Sequence, residues 1–276
     1  MIEVKNISFK YAGGKRLVFD DFSLTLEENR IYGLLGKNGT GKSTLLYLLS
    51  GLLRPSHGSV CCDGIATCKR QPEMLRDIFL VTEEFEMPAI CLSEYVKLYK
   101  PFYPQFSDEV LQECLADFEL PSDIRLGELS MGQRKKAYIA FAMATNTKYL
   151  LMDEPTNGLD IPSKSQFRKV IAQHMTEDRT VVISTHQVHD VEQMLDHILI
   201  LDKHSVLLNA SIQDIVDHYT FEYRSPQQMD DTVLYAEPTL QGNAVITKRQ
   251  EGDAETQVNL ELLFNYKTAQ KTGAVL

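Results

Sequence analysis

Residues Gly36-Lys37-Asn38-Gly39-Thr40-Gly41-Lys42-Ser43 fill every position of the phosphate-loop pattern G-x-x-x-x-G-K-[ST]. Each residue type has a physical reason to be there. Glycines let backbone N–H groups converge on phosphate oxygens, and a helix beginning at the loop adds the favourable end of its dipole. Lys42 would reach the β and γ phosphates, and the Ser43 hydroxyl would ligate Mg²⁺. Gly36, Asn38, Gly39, Gly41 and Thr44 complete the candidate cradle. The flanks supply the elements the loop needs. Arg30-Ile31-Tyr32-Gly33-Leu34-Leu35 reads as a short buried strand, and Ser43-Thr44-Leu45-Leu46-Tyr47-Leu48-Leu49 as a helix start. Strand, glycine loop and helix in this order imply that the chain binds a nucleoside triphosphate.

A second run, Leu150-Leu151-Met152-Asp153-Glu154, is continuously apolar and ends in two carboxylates. It suits a parallel-sheet strand covered on both faces. Asp153 is expected beside the phosphate loop, holding Mg²⁺ through water. Glu154 is placed to orient and polarise an attacking water as general base.

Between these motifs lies Leu129-Ser130-Met131-Gly132-Gln133, and here the chain resembles an ATP-binding-cassette (ABC) ATPase. The resemblance spans residues 1 to about 210 and rests on motifs in the family's order. The pentapeptide is similar to the signature L-S-G-G-Q, with Met131 in place of its first glycine. Asn157-Gly158-Leu159-Asp160 resembles the D-loop, and His186, closing Thr180-Val181-Val182-Ile183-Ser184-Thr185, resembles the switch histidine. Tyr11 lies where the family stacks adenine on an aromatic ring, although a tyrosine beside an N-terminal strand also serves as core.

The resemblance implies a dimer. Ser130, Gly132 and Gln133 open a helix running through Met143, a second helix N-terminus prepared for an anion. In the family this surface faces the γ-phosphate held by another copy of the domain, and an ordinary serine N-cap coexists with that role. Asp160 would link the two sites. His186 would donate from a neutral ring to the γ-phosphate and hold Glu154 and the water in place. His189 and His197 match no motif and are assigned to helix surface or packing. One position departs from the pattern. Where the family usually carries a metal-touching glutamine, Ile78-Phe79-Leu80-Val81 leads into Thr82-Glu83-Glu84; Glu83 is the best match and Glu84 the runner-up. A carboxylate can still offer oxygen to Mg²⁺, but its charge weakens ATP binding unless the metal offsets it.

Composition narrows the reading. A chain of 276 residues suits one catalytic domain plus an appendage. No stretch approaches the roughly 18 apolar residues of a membrane span, and Met1-Ile2-Glu3-Val4-Lys5 lacks a signal-peptide pattern. The five cysteines, without C-x-x-C spacing, read as reduced thiols, which fits the cytosol. A formal net charge of −10 argues against a broad nucleic-acid surface, and Arg134-Lys135-Lys136 is assigned to the signature helix.

The expected fold is α/β: a P-loop NTPase with a mostly parallel sheet flanked by helices, an N-terminal antiparallel β subdomain and an inserted helical subdomain. Val4–Phe9 and Phe22–Leu26 alternate as antiparallel strands. Residues of about 87–145 form the helical subdomain, with serine-capped helices over Ser93–Tyr99 and Ser107–Phe118. Parallel strands then recur with helices between, over Tyr149–Met152, a Ser163–Met175 helix, Val181–Ser184 and then Val188–Leu195, before a closing hairpin of His197–Leu201 and Val206–Asn209. The ATPase domain is assigned to 1–210 and a small C-terminal appendage to 211–276. In that appendage Tyr219–Arg224, Thr232–Ala236 and Asn243–Lys248, separated by Pro226, Pro238 and Gly242, read as strands and Val258–Phe264 as an amphipathic helix.

These readings imply an ATPase subunit of an ABC transporter, on the cytoplasmic face, driving a separate membrane permease. The compact insert with Phe102-Tyr103-Pro104 resembles ATPases of drug or peptide export. A soluble ABC ATPase acting on ribosomes or DNA is the alternative, disfavoured by the single cassette, the absence of long heptad runs and the acidic balance. A small-molecule kinase would leave the signature and D-loop without a role. Glu83→Gln is expected to retain ATPase activity in a phosphate-release assay; loss of all turnover would show that the carboxylate itself is required.

Overall fold

The computed structural model describes residues 1–14, 16–202, 204–250 and 252–272. The chain begins with β1 (Ile2–Phe9), β2 (Phe19–Leu26) and β3 (Ile31–Leu35), then α1 (Lys42–Leu49), β4 (His57–Cys62), β5 (Ile65–Ala66), α2 (Pro72–Leu75) and β6 (Ile78–Val81). The helices α3 (Leu92–Tyr99), α4 (Asp108–Asp117) and α5 (Met131–Ala144) follow. After them come β7 (Tyr149–Asp153), α6 (Ile161–Gln173), β8 (Thr180–Thr185), β9 (His197–Asp202) and β10 (Ser205–Ser211). The last elements are α7 (Ile212–His218), β11 (Tyr219–Arg224), β12 (Val233–Thr239), β13 (Gly242–Lys248) and α8 (Leu260–Thr272).

Six strands form the central sheet in the order β10-β9-β3-β8-β7-β6, parallel except for β10. Its side chains divide by the two-residue period of a strand. Leu150, Met152, Val181, Ile183, Ile198 and Ile200 join the core shared with α5 and α6, whereas Tyr149, Leu151, Val182, Leu199 and Leu201 join the core shared with α1, β1 and β2. Both faces are covered, which is why these strands read as unbroken apolar runs. The expected P-loop NTPase architecture is the one observed.

A four-stranded sheet, β2-β1-β4-β5, carries the N-terminal antiparallel strands. β2 starts at Phe19, three residues before the expected Phe22, because register shifts interrupt the alternation. Asn6 and Asp21 sit at positive φ there, joined by an Asn6 Nδ2 to Asp21 Oδ1 hydrogen bond of 2.8 Å.

Helix starts follow their caps. Ser107 caps α4 by accepting from the Val110 N–H at 3.1 Å, as expected. Ser93 does not cap α3: the helix starts at Leu92, and Glu94 closes back on the Cys91 N–H at 3.1 Å. Asp160, not a serine, caps α6, so that helix begins two residues early at Ile161. No α-helix forms over Val188–Leu195. Two 3-10 turns, Val188–Asp190 and Glu192–Met194, take its place. Only residues 186–196 link β8 to β9 across β3, a reach near the shortest known for a parallel crossover.

In the appendage β11, β13 and β12 pair antiparallel in that order. Pro238, expected to break the chain, lies instead within edge strand β12, where a missing N–H costs no ladder bond. Phe221, Ile246, Leu260, Leu263 and Tyr266 join the core of the main sheet, so the appendage packs on its own chain.

Aromatic rings bind the helical segment to the sheet. Phe141 of α5 is 1% exposed and lies 5.0 Å from the Tyr95 ring, 5.4 Å from Phe106 and 5.9 Å from Phe79 of β6. Phe141→Ala should therefore destabilise the fold by about 3–5 kcal/mol, read from urea unfolding; a loss under about 1 kcal/mol would show that the cluster repacks without it.

Candidate functional site

Sheet register sets the site. β3 and β8 run parallel with Leu35 beside Thr185, and β7 and β8 with Asp153 beside Ser184. The three strands end together, so the glycine loop after β3, Glu154 after β7 and His186 after β8 emerge side by side. They open on a cleft of about 540 Å³ lined by Tyr11, Asn38, Gly39, Gly41, Lys42, Ser43, Thr44, Glu83, Glu154, Asn157 and His186, with Val18 at its side.

Gly41 immediately precedes α1 at φ +102, a conformation that favours glycine. A Cβ there would stand 2.9 Å from both Phe19 Cζ and Val18 Cγ1. Gly36 lies behind the cleft and contributes its carbonyl, which accepts from Lys42 Nζ at 2.8 Å. Lys42 is 6% exposed and 3.8 Å from Glu154 Oε1. Burial holds its pKa below the usual lysine value, opposed by the charges of Glu154, Asp153 and Glu83. Tyr11 stands at the mouth with its hydroxyl 2.9 Å from Thr44 Oγ1 and its ring edge-on to Phe9.

Asp153 is 1% exposed and does not line the cleft; the Ser184 hydroxyl donates to its Oδ1. Glu154, at φ +45, occupies the left-handed region at a cost of roughly 1–2 kcal/mol for a residue with a Cβ. Its N–H donates to Ser184 O at 2.9 Å. His186 Nδ1 lies 2.8 Å from Glu154 Oε1, and the His186 main-chain N–H donates to Oε2 at 3.3 Å. An ionised Glu154 only accepts, so Nδ1 carries the proton and a neutral ring leaves Nε2 an acceptor. The expected donation from a neutral His186 to a phosphate therefore conflicts with this pairing; it needs a doubly protonated ring or release from Glu154.

Glu83 stands at the rim with Oε1 accepting from Asn157 Nδ2 at 2.8 Å. Sequence reasoning missed both Asn157 and Lys135 as site residues. Lys135 is 5% exposed, and its Nζ donates to the carbonyls of Glu154 at 3.0 Å and Asn157 at 2.8 Å. Burial lowers its pKa, opposed first by Glu83 and then by Glu154 and Asp153. A signal existed: Lys135 shares a helical face with Ile139, Ala142 and Met143, at spacings that mark the buried side of α5.

Apart from Asn157, the signature and D-loop residues do not line this cleft. Ser130 accepts from the Gln133 N–H at 3.3 Å while Gln133 Oε1 accepts from the Ser130 N–H at 3.1 Å, a closed capping box. Gly132 leaves the helix start open, its nearest neighbour being Gly158 O at 3.8 Å from a built Cβ. Asp160 accepts from the Ser163 N–H at 2.9 Å, and hydrogen bonds from Ser163 hold its carboxyl below the usual range. Met131 and Ile161 project nearby, 79% and 85% exposed.

The donor set fits a metal-bound nucleoside triphosphate. A Cβ at Gly36 or Gly41 would collide with its neighbours, Lys42 brings a buried cation, and Ser43 with the Glu83 carboxylate supplies oxygen at the cleft. In comparisons with known proteins, the model of a family described as ABC transporter matches residues 19–157. The chain is 29% identical over 226 residues to the ABC transporter ATP-binding protein NatA of Bacillus subtilis (strain 168), covering 79% of this chain and 92% of that one. It is 27% identical over 221 residues to the ABC transporter ATP-binding protein YtrB of the same organism, covering 79% and 75%. Among solved structures it resembles a dimeric post-hydrolysis state of the ATP-binding cassette MJ0796 bound to ADP and Pi, with a TM-score of 0.67 and 27% identity over 77% of this chain and 99% of that one.

Gly41→Ala forces the loop away from Phe19 and Val18. It should weaken nucleotide binding roughly tenfold or more, the net worth of one or two hydrogen bonds, in a fluorescent-ATP titration. Unchanged affinity would show that the loop does not need this left-handed glycine.

Proposed function

The chain belongs to the ABC transporter family, and from that premise we propose that it is the ATP-hydrolysing subunit of an exporter, acting as a head-to-tail pair on a separate permease. It is an ATPase that uses ATP with Mg²⁺. The observation that carries the proposed mechanism is the pairing of Glu154 Oε1 with His186 Nδ1 at 2.8 Å beside the phosphate loop.

In this reading Gly39, Gly41 and the start of α1 bind phosphate oxygens, Lys42 neutralises them, and Tyr11 stands against adenine. Ser43 and Glu83 would hold the Mg²⁺ and Asp153 would hold it through water, and the ion would offset charge on the phosphates. Glu154 orients water and takes its proton at a carboxylate oxygen, while His186 fixes that carboxylate in the cleft. Ser130, Gly132 and Gln133 of one copy cover the cleft of the other, and Asp160 lies at the junction. Closure excludes water, and only a difference in nucleotide affinity between open and closed pairs can drive it.

Two features support coupling to a permease. No described helix is long and apolar enough to cross a membrane. A groove of about 710 Å³ runs between α2 and the turn before α4, lined by Leu52, Arg70, Pro72, Leu75, Phe102 and Tyr103 among others, with Leu52 55% and Phe102 66% exposed. A permease segment pressed there would hold the chain at the cytoplasmic face of the membrane. The export direction rests on Phe102-Tyr103-Pro104, on Glu83 in the glutamine position and on the compact appendage, which we assign as a unit of residues 211–276 beside an ATPase unit of 1–210.

Glu154→Gln should lower turnover at least roughly 100-fold while trapping an ATP-bound pair. Affinity capture of that tagged variant with ATP and Mg²⁺ from detergent-solubilised cells should bring down a multi-span membrane protein in near-equal amount. Turnover at the wild-type rate would remove Glu154 from the base role. Ribosomal proteins or DNA-bound factors in place of the membrane protein would overturn the transporter reading.

A further inference from the structure

We propose that Lys135 is a positioning residue for hydrolysis, pinning the main chain of Glu154 and tying it to the start of the signature helix. The proposal rests on Glu154 acting as the base. Lys135 lies in the second turn of α5 and spends two of its three N–H donors on the carbonyls of Glu154 and Asn157. A buried ammonium is costly unless it is well partnered, and here its partners bracket one turn. That turn follows β7 and closes with Asn157 N–H on Glu154 O at 3.1 Å and Leu159 N–H on Thr156 O at 3.1 Å.

The turn begins at the left-handed Glu154, and such a conformation persists only where its surroundings over-determine it. Ser184 O holds the Glu154 N–H on one side, and the Lys135 ammonium holds its carbonyl on the other. The direction of the Glu154 side chain toward His186 follows from this clamp. Removing the cation frees the peptide to relax and swings the carboxylate off line.

The same lysine joins the signature helix to the turn that Glu83 also contacts. Asn157 takes Lys135 on its carbonyl and passes its side-chain N–H to Glu83. Three residues along α5, Tyr138 stacks on Phe85 at 4.5 Å, anchoring the loop that bears Glu83 to the same helix. The rigid start of α5 thus carries Ser130 on its outer end and grips Glu154 from within.

The test compares Lys135→Met with Lys135→Arg. In nucleotide-free protein, amide hydrogen exchange at Glu154, Asn157 and Leu159 should quicken about tenfold or more in Lys135→Met, while β3 and β8 amides keep wild-type rates. With ATP and Mg²⁺ its kcat should fall about tenfold or more with KM for ATP within about threefold of wild type. Lys135→Arg, which keeps a cation with several N–H donors, should restore both readouts in large part. Unchanged exchange, unchanged kcat, or faster exchange spread over the whole chain would each overturn the proposal. Wild-type turnover in Glu154→Gln alongside local exchange changes in Lys135→Met would overturn the role in hydrolysis and leave the clamp on the turn established.

Discussion

Charge is the constraint on which this site turns. Asp153 and Glu154 are buried at the end of one strand, 1% and 5% exposed, beside a loop shaped for a polyanion. Left alone, these carboxylates would repel any phosphate and pay a heavy desolvation cost themselves. Two equally buried ammonium groups oppose them, Lys42 at 6% exposure and Lys135 at 5%. Lys42 reaches them from the phosphate loop and Lys135 from α5. Burial depresses both lysines, so each is held at some expense until an anion meets it. In the proposed site the phosphates of the nucleotide supply that anion for Lys42. Lys135 instead satisfies two main-chain carbonyls, the partnering that lets an ammonium stay in the interior without a counter-ion in contact.

The parallel sheet is what permits so dense an arrangement. β3, β8 and β7 are neighbours with matched ends, and their side chains alternate into two cores that clamp each strand from both faces. A strand so held cannot slip by one residue without driving its apolar side chains into the wrong core. The separation of phosphate loop, Glu154 and His186 is therefore fixed by register and not by the loops that carry them. The loops add only local turns: a glycine at φ +102 before α1 and a strained glutamate at φ +45 after β7.

Much of this was legible before any coordinates, because motif chemistry depends on residue type and spacing. Gly36 to Ser43, Asp153-Glu154 and His186 declared themselves in that way, and the cleft gathers most of them. What sequence left hidden has particular causes. Lys135 reads as one charge in a basic run, and only the phase of α5, set by the Ser130 cap, shows that it points inward. The tautomer of His186 depends on a contact between two strand ends and has no sequence signal. Ser93 looked like a cap because serine usually is one, yet Glu94 bonding back to Cys91 moved the helix start. The Val188–Leu195 pattern suited a helix, but the crossover over β3 consumed its residues. Pro238 suggested a break because edge and centre strands cannot be told apart without the pairing order.

The residues proposed to act across a pair sit outside the cleft. Ser130, Gly132 and Asp160 are satisfied or capped within their own helices and face outward, next to the exposed side chains of Met131 and Ile161. In the proposed pair this surface covers the cleft of another copy. Cysteine cross-linking tests that directly: an Asn38→Cys chain is mixed with a Met131→Cys chain, both carrying Cys68→Ser, and oxidised with a non-hydrolysable ATP analogue and Mg²⁺. A disulfide between unlike chains that needs nucleotide, with neither chain linking to itself, is the result this account predicts. A Met131→Cys chain that links to its own kind, or unlike-chain linkage indifferent to nucleotide, would contradict it.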